Sequence, residues 1–257
     1  MTSIGDIAIT VEDGIAVLRL RNPERRNAIS TAMWQAIAEF AAAAGARSDI
    51  RVVIIRGDGE RAFSSGADIG ARSGSNAKDY DDLVEDTCCA IETISQPTIA
   101  LIKGACMGAG VSVAGSCDLR VAADDAFFAV PAAKLGLGYD PRGIDRFVRI
   151  FSAGAARQAI FTGDRLPAVR AHALGAVHAV APAAEIDAVA AALARTIAAN
   201  APMTIKAAKT AIRALTAKDA DLHAEAERLY RAADASADYG EGRKAFAEKR
   251  PPRFTGR

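Results

Sequence analysis

Short β-branched runs alternate with helix-forming stretches over the first two-thirds of the chain, and from residue 144 onward nearly every stretch favours helix. This change of character limits the fold more than any other feature, because it calls for an α/β core followed by a helical C-terminal segment. Residues 7–10 and 15–20 are β-rich runs around Glu12-Asp13-Gly14, a hairpin signal. Ser30 is a good N-cap for a helix over 32–44 that ends at Gly45. Strands are predicted at 52–56, 98–103, 119–122 and 127–130. A helix is predicted at 79–94; its acidic start suits the positive end of the helix dipole, and Pro97 stops it. Residues 63–69 read as a loop containing Gly and Ser, and the small residues of 108–115 read as a tightly packed helix. Further helices are predicted at 144–151, 154–161, 167–174, 183–199, 202–215 and 222–245, with a brief strand at 177–180.

Of 257 residues, 51% are hydrophobic and 25% charged, which is ample material for a core. Lys and Arg total 32 against 31 Asp and Glu, a formal net charge of +1. That balance gives no support for nucleic acid or an anionic membrane as the main partner. The start, MTSIGDIAIT, has no basic region followed by an apolar run, and the uncharged stretch 104–117 is too short and glycine-rich to span a membrane. Cys88, Cys89, Cys106 and Cys117 form no CxxC pair, so reduced thiols and a cytoplasmic location are expected. His172, His178 and His223 lie apart from Cys or acidic clusters, so no metal site is expected.

Two segments end a predicted strand and lead toward a helix: 53–69, with Phe63-Ser-Ser-Gly-Ala-Asp-Ile, and 98–111, with Lys103-Gly-Ala-Cys-Met-Gly-Ala-Gly-Val. Small residues let a ligand approach the backbone closely. First-turn N–H groups of a helix have no internal acceptor. Two of them aimed at one point would form an oxyanion hole; by spacing alone, a glycine-rich turn after a strand is more often only a turn.

These segments resemble the enoyl-CoA hydratase/isomerase (crotonase) family. Residues 63–69 resemble its FSAGAD-type loop, and 102–111 its strand followed by NGxxxGGG. Arg21-Asn-Pro-Glu-Arg-Arg-Asn-Ala-Ile resembles its NRPxxxNAL segment, and Glu241-Gly-Arg-Lys-Ala-Phe-Ala-Glu-Lys-Arg its EGxxAFxEKR tail. The matches come in family order from Arg21 to Arg250. The resemblance implies a spiral of ββα units over 1–195 for acyl-CoA binding and catalysis, and a helical trimerisation segment over 196–257. It implies an acyl-CoA substrate, no cofactor beyond the CoA that the substrate carries, and a homotrimer or dimer of trimers. The oxyanion donors fall on the backbone of Ala67 and Ala109, the second standing where the family usually has Gly. Acyl-CoA contacts fall on Arg26, Ala28, Ser65, Asp68, Ile69 and Gly108. They continue on Ser112, Pro131, Ala132, Leu135 and Tyr139, and on Phe246 and Lys249, which in the family reach the CoA of a neighbouring subunit.

The chain departs from the family's hydratases in its carboxylates. Where those enzymes place two glutamates, this sequence has Ser112 and Ala132, and neither serves as a general base near neutral pH without help. Asp140 remains, at a spacing where several branches of the family carry a functional aspartate. Its residue-level reading stays open between a proton shuttle or nucleophile and a turn residue before Pro141 paired with Arg142. The leading expectation is double-bond isomerisation through an enolate with Asp140 as shuttle. The alternatives are an atypical hydratase, a thioester or C–C hydrolase, and a catalytically silent acyl-CoA binder. Aryl-CoA dehalogenation is disfavoured, because the sole tryptophan, Trp34, is far from Asp140 in sequence.

Overall fold

The protein is described here from a computed structural model covering residues 6–68, 70 and 77–257. The hairpin forms as β1 (Asp6–Glu12) and β2 (Ile15–Arg21), paired antiparallel. Then come α1 (Thr31–Ala44), β3 (Val52–Gly57), β4 (Ala62–Ser64) and α2 (Ala77–Thr93). The next turn is β5 (Thr98–Ile102), β6 (Ala105–Met107) and α3 (Ala109–Ser116); the one after is β7 (Leu119–Ala123), β8 (Phe127–Ala129) and α4 (Pro141–Thr162). The chain continues with β9 (Leu166–Pro167), α5 (Ala168–Ala173), β10 (Ala179–Ala181) and α6 (Ile186–Ala198), and ends in α7 (Pro202–Ala217), α8 (Ala220–Asp234) and α9 (Ala237–Glu248).

From β3 to β8, successive strands go alternately to two sheets. The larger runs β1-β2-β3-β5-β7-β10 and is parallel from β2 onward; the smaller runs β4-β6-β8-β9, with only β9 antiparallel. The three units from β3 to α4 therefore each give their first strand to the larger sheet and their second to the smaller, which is the expected α/β spiral. β3 and β5 are apolar almost throughout because both faces are covered, as a central parallel strand requires. Trp34, Phe63, Phe128 and Phe151 are fully buried between the layers, each burial worth roughly 1.5–3 kcal/mol.

Several boundaries differ from the sequence reading. Residues 105–107 form a strand rather than part of a turn, because Cys106 is buried between β4 and β8 partners. The two helices expected at 144–151 and 154–161, by contrast, are present as the two arms of α4, which breaks at Ser152, where φ 72° and ψ 157° are not helical. The single helix expected at 222–245 is two, since the Ser236 hydroxyl accepts from Tyr239 N and starts α9 anew. The core also runs slightly past the expected boundary at 195: α6 stays on the larger sheet to its end, tied down by Asp187 to Arg56 and Lys103. Beyond it, α7 and α8 pair as a hairpin, and α9 closes a largely apolar groove of about 830 Å³ with Leu215, Tyr230 and Phe246 at its surface. Among the described residues no single helix is long and apolar enough to cross a membrane.

Candidate active site

β4, β6 and β8 lie side by side and parallel, so their carboxyl ends open at one place. The chain leaves β4 through Ser65-Gly66-Ala67, β6 through Gly108 into α3, and β8 through Val130-Pro131-Ala132. A cavity of about 150 Å³ lies against these three exits and is closed by α2 and by residues 135–140 before α4.

The loop after β4 is held by backbone. Ile29 N donates to Gly66 O (2.9 Å) and Ile29 O accepts from Asp68 N (3.0 Å), a parallel bridge between Ile29 and Ala67. In such a bridge the middle residue turns its own N–H away from its partner, so Ala67 N–H faces away from residue 29. Buried Asn27 braces the same loop: Nδ2 donates to Ala62 O (2.8 Å) and Asp58 O (3.0 Å), and Ser64 Oγ donates to Asn27 O (2.8 Å). Gly66 takes φ +107°, and a Cβ there would lie 3.0 Å from Met107 O and 3.6 Å from Ala109 N. The two glycine turns therefore touch, which sets Ala67 N and Ala109 N beside one another. Among the described residues neither N–H has a hydrogen-bond acceptor. Ala109 opens α3, and Gly110 behind it packs directly on Ser64, so its lack of a side chain holds the helix against β4. Neighbouring unsatisfied N–H groups at a cavity wall suit an oxygen that gains negative charge.

The opposite wall is made of side chains. Asp140 is the N-cap of α4: Oδ1 accepts from Arg142 N (2.8 Å) and Nε (3.0 Å), and Oδ2 from Nη2 (2.7 Å). Arg142 also reaches Asp82 on α2 (2.9 Å). The structure thus realises the turn-and-ion-pair reading of Asp140 while placing the same residue on the cavity, its side chain 22% exposed. Hydrogen bonds from Arg142 hold its carboxyl below the usual carboxylate range. Tyr139 is largely enclosed, with its hydroxyl 3.3 Å from Ser112 Oγ and 3.4 Å from Gly108 O. Burial pushes its phenol up to about 12. Ser112 and Ala132 are both buried at the cavity, and Leu135 is exposed at its edge.

Other sequence-named residues are distributed as follows. Ser65 lines the cavity and donates to Arg25 O (2.8 Å). Asp68 accepts from Gly70 N (3.2 Å) and pairs with Arg25 (2.9 Å), so Arg25 is committed to it. Arg26 is exposed at φ 52°, its O accepting from Ser65 N (2.8 Å), and Ala28 is buried beside it. Ile69 lies outside the described residues. Phe246, 88% exposed, and Lys249 sit on α9, away from the cavity of their own chain.

Sequence reasoning did not single out Asn27, Tyr80 or Glu85. Tyr80 lines the cavity and accepts from Trp34 Nε1 (3.1 Å), so the tryptophan far away in sequence is one residue from the site in space. Glu85 is buried in the cavity wall and pairs with Arg146 (3.0 Å). The only legible signal was the i, i+3 spacing of Asp82 and Glu85 on one face of α2.

Known proteins resemble this chain over nearly its whole length. The family model described as "Enoyl-CoA hydratase/isomerase" matches residues 10–257. A Mycobacterium bovis protein named "Probable enoyl-CoA hydratase echA6" is 34% identical, over 97% of this chain and 99% of its own length. The 2,3-dehydroadipyl-CoA hydratase of Escherichia coli is 30% identical over 99% of this chain and 100% of its own. The crystal structure of an enoyl-CoA hydratase/carnithine racemase from Magnetospirillum magneticum superposes with a TM-score of 0.92 at 34% identity, covering 99% of this chain and 97% of that one.

Proposed function

The chain belongs to the enoyl-CoA hydratase/isomerase family, and from that premise we propose that it shifts the double bond of an enoyl-CoA thioester through an enolate, with Asp140 as the proton shuttle. The observation that carries this reading is one cavity holding the Ala67 and Ala109 N–H groups on one wall and the Asp140 carboxylate on the other, with Ser112 and Ala132 between them. Asp140 removes a proton from carbon, the electron pair of that C–H bond moves toward the thioester oxygen, and the two N–H groups meet the charge that develops there. Asp140 then delivers a proton, its own or one exchanged with solvent, to a different carbon, so one carboxylate suffices and nothing is consumed. Arg142 keeps Asp140 charged and able to accept a proton at neutral pH, at the expense of basicity.

Exposed Arg26, whose carbonyl accepts from Ser65 N, supports a contact with CoA phosphates. The apolar groove of α7–α9 supports a homotrimer or dimer of trimers in which Phe246 and Lys249 reach a neighbour's CoA. The reading uses no cofactor beyond the CoA of the substrate and assigns the protein to the cytoplasm.

A second reading, hydration, is favoured by the names of the relatives. Mass spectrometry of enoyl-CoA esters incubated with the protein in heavy water separates the two. Deuterium on carbon or a moved double bond without added water is expected. Net addition of water selects hydration, and release of free CoA selects hydrolysis.

A further inference from the structure

Glu85 has no part in the chemistry above, yet its burial at the cavity needs a reason. It is 3% exposed and lines the cavity. Its Oε2 accepts from Arg146 Nη1 (3.0 Å). Its Oε1 accepts no hydrogen bond from any described residue. Among those residues the only sealed side-chain N or O atom without a partner is Arg51 Nη1, so Glu85 Oε1 opens onto the cavity. A carboxylate oxygen among apolar walls is costly unless something donates to it.

The surroundings limit what that donor is. A Cβ on Gly143 would lie 2.9 Å from Tyr139 Cε1 and 3.5 Å from Glu85 Oε1, so the bare glycine lets ring and carboxylate share this corner. The Tyr139 hydroxyl points the other way, to Gly108 O, so the ring stands between Glu85 and the paired N–H groups. Val84 and Leu137 supply apolar wall. Arg146 is shared with Glu92 (2.8 Å), which also takes Arg149 (3.2 Å). A substrate carboxylate here would meet like charge. A hydrocarbon would leave Oε1 unpaired, whereas a hydroxyl would satisfy it.

We propose that Glu85 is a specificity-determining residue that accepts a hydrogen bond from a hydroxyl on the acyl group, beyond the reacting carbons, so that hydroxylated acyl-CoA esters are preferred to their unsubstituted counterparts. The inference rests on the acyl-CoA reading above. Calorimetry on the full-length protein tests it with matched saturated esters: ω-hydroxyhexanoyl-CoA against hexanoyl-CoA, ω-hydroxypentanoyl-CoA against pentanoyl-CoA, and para-hydroxyphenylacetyl-CoA against phenylacetyl-CoA. The best-fitting hydroxyl ester is expected to bind roughly 10- to 100-fold more tightly than its partner, and adipyl-CoA no better than hexanoyl-CoA. Glu85→Leu should erase the preference; Glu85→Gln, which keeps an acceptor, should retain a smaller one. If Glu85→Leu does not fold, the wild-type ratios and Glu85→Gln decide. Equal affinities in all three pairs, or a preference that survives Glu85→Leu, overturn the proposal. So does loss of turnover of unsubstituted esters with binding intact, which would make Glu85 part of the chemistry. If no CoA ester binds, it is the acyl-CoA reading that falls.

Discussion

The two walls of the cavity are built on different principles. One is backbone: the turns at Gly66 and Gly108 touch, and among the described residues the N–H groups of Ala67 and Ala109 have no acceptors. The other is side chains on separate elements: Asp82 and Glu85 on α2 face Arg142 and Arg146 on α4, with Asp140 and Tyr139 held between. The backbone wall has few ways to change, because its donors survive most substitutions. The side-chain wall can be rewritten one residue at a time, and Ser112 and Ala132 show such rewriting relative to the two-glutamate pattern of the family's hydratases.

Substitutions on each wall sharpen this contrast. The largest effect is expected from Asp140→Asn. Asn remains a good N-cap, so the melting temperature should hold while kcat falls roughly 10²–10⁴-fold, the usual worth of a positioned acid–base group. Collapse of the melting temperature with residual activity would reduce Asp140 to a cap. On the backbone wall, Ala109→Pro removes one N–H. Proline is tolerated at the first position of a helix, so folding should persist with a loss of about 10²–10³-fold in kcat. An unchanged rate would place the negative charge elsewhere.

Gly66→Ala comes next. It puts a Cβ 3.0 Å from Met107 O at φ +107° and should cost about 1–3 kcal/mol of stability by denaturant titration, along with some rate. No change in either would mean that the contact between the two turns does not set the site.

Arg142→Met gives the smallest effect. The folded Asp140 carboxyl lies below its ordinary value because of Arg142, so its base form persists as pH falls and is lost only through that lowered value. Without Arg142 the acid limb of kcat/KM should move to higher pH. The same sign holds for stability: the contribution of Asp140 is present above its unfolded pKa and lost as pH falls through the folded one. An acid limb that stays put would assign the titration to another group.

Legibility in the sequence follows the same division. The alternation of elements, the hairpin at Glu12-Asp13-Gly14 and the cap at Ser30 were readable because each depends on a few adjacent residues. The glycine-punctuated turns were readable for the same reason, but it was the family resemblance that pointed to Ala67 and Ala109 within them. Strand β6 was not, because three residues become a strand only when Cys106 finds Ser64 and Phe128 on either side. The break at Ser236 rests on a local cap, its hydroxyl accepting from Tyr239 N, that the sequence reading passed over.

By itself, then, the sequence determined an α/β core, the helical tail and two glycine-rich turns, because these follow from local conformational preference and short spacing; the ββα spiral and the choice of Ala67 and Ala109 came from the family resemblance. Only the tertiary structure decided that Asp140 is both helix cap and cavity residue, that Tyr80 joins Trp34 to the site, and that Glu85 turns one oxygen inward. Those facts depend on where α2 and α4 cross, and no run of neighbouring residues specifies the meeting of positions 85 and 146.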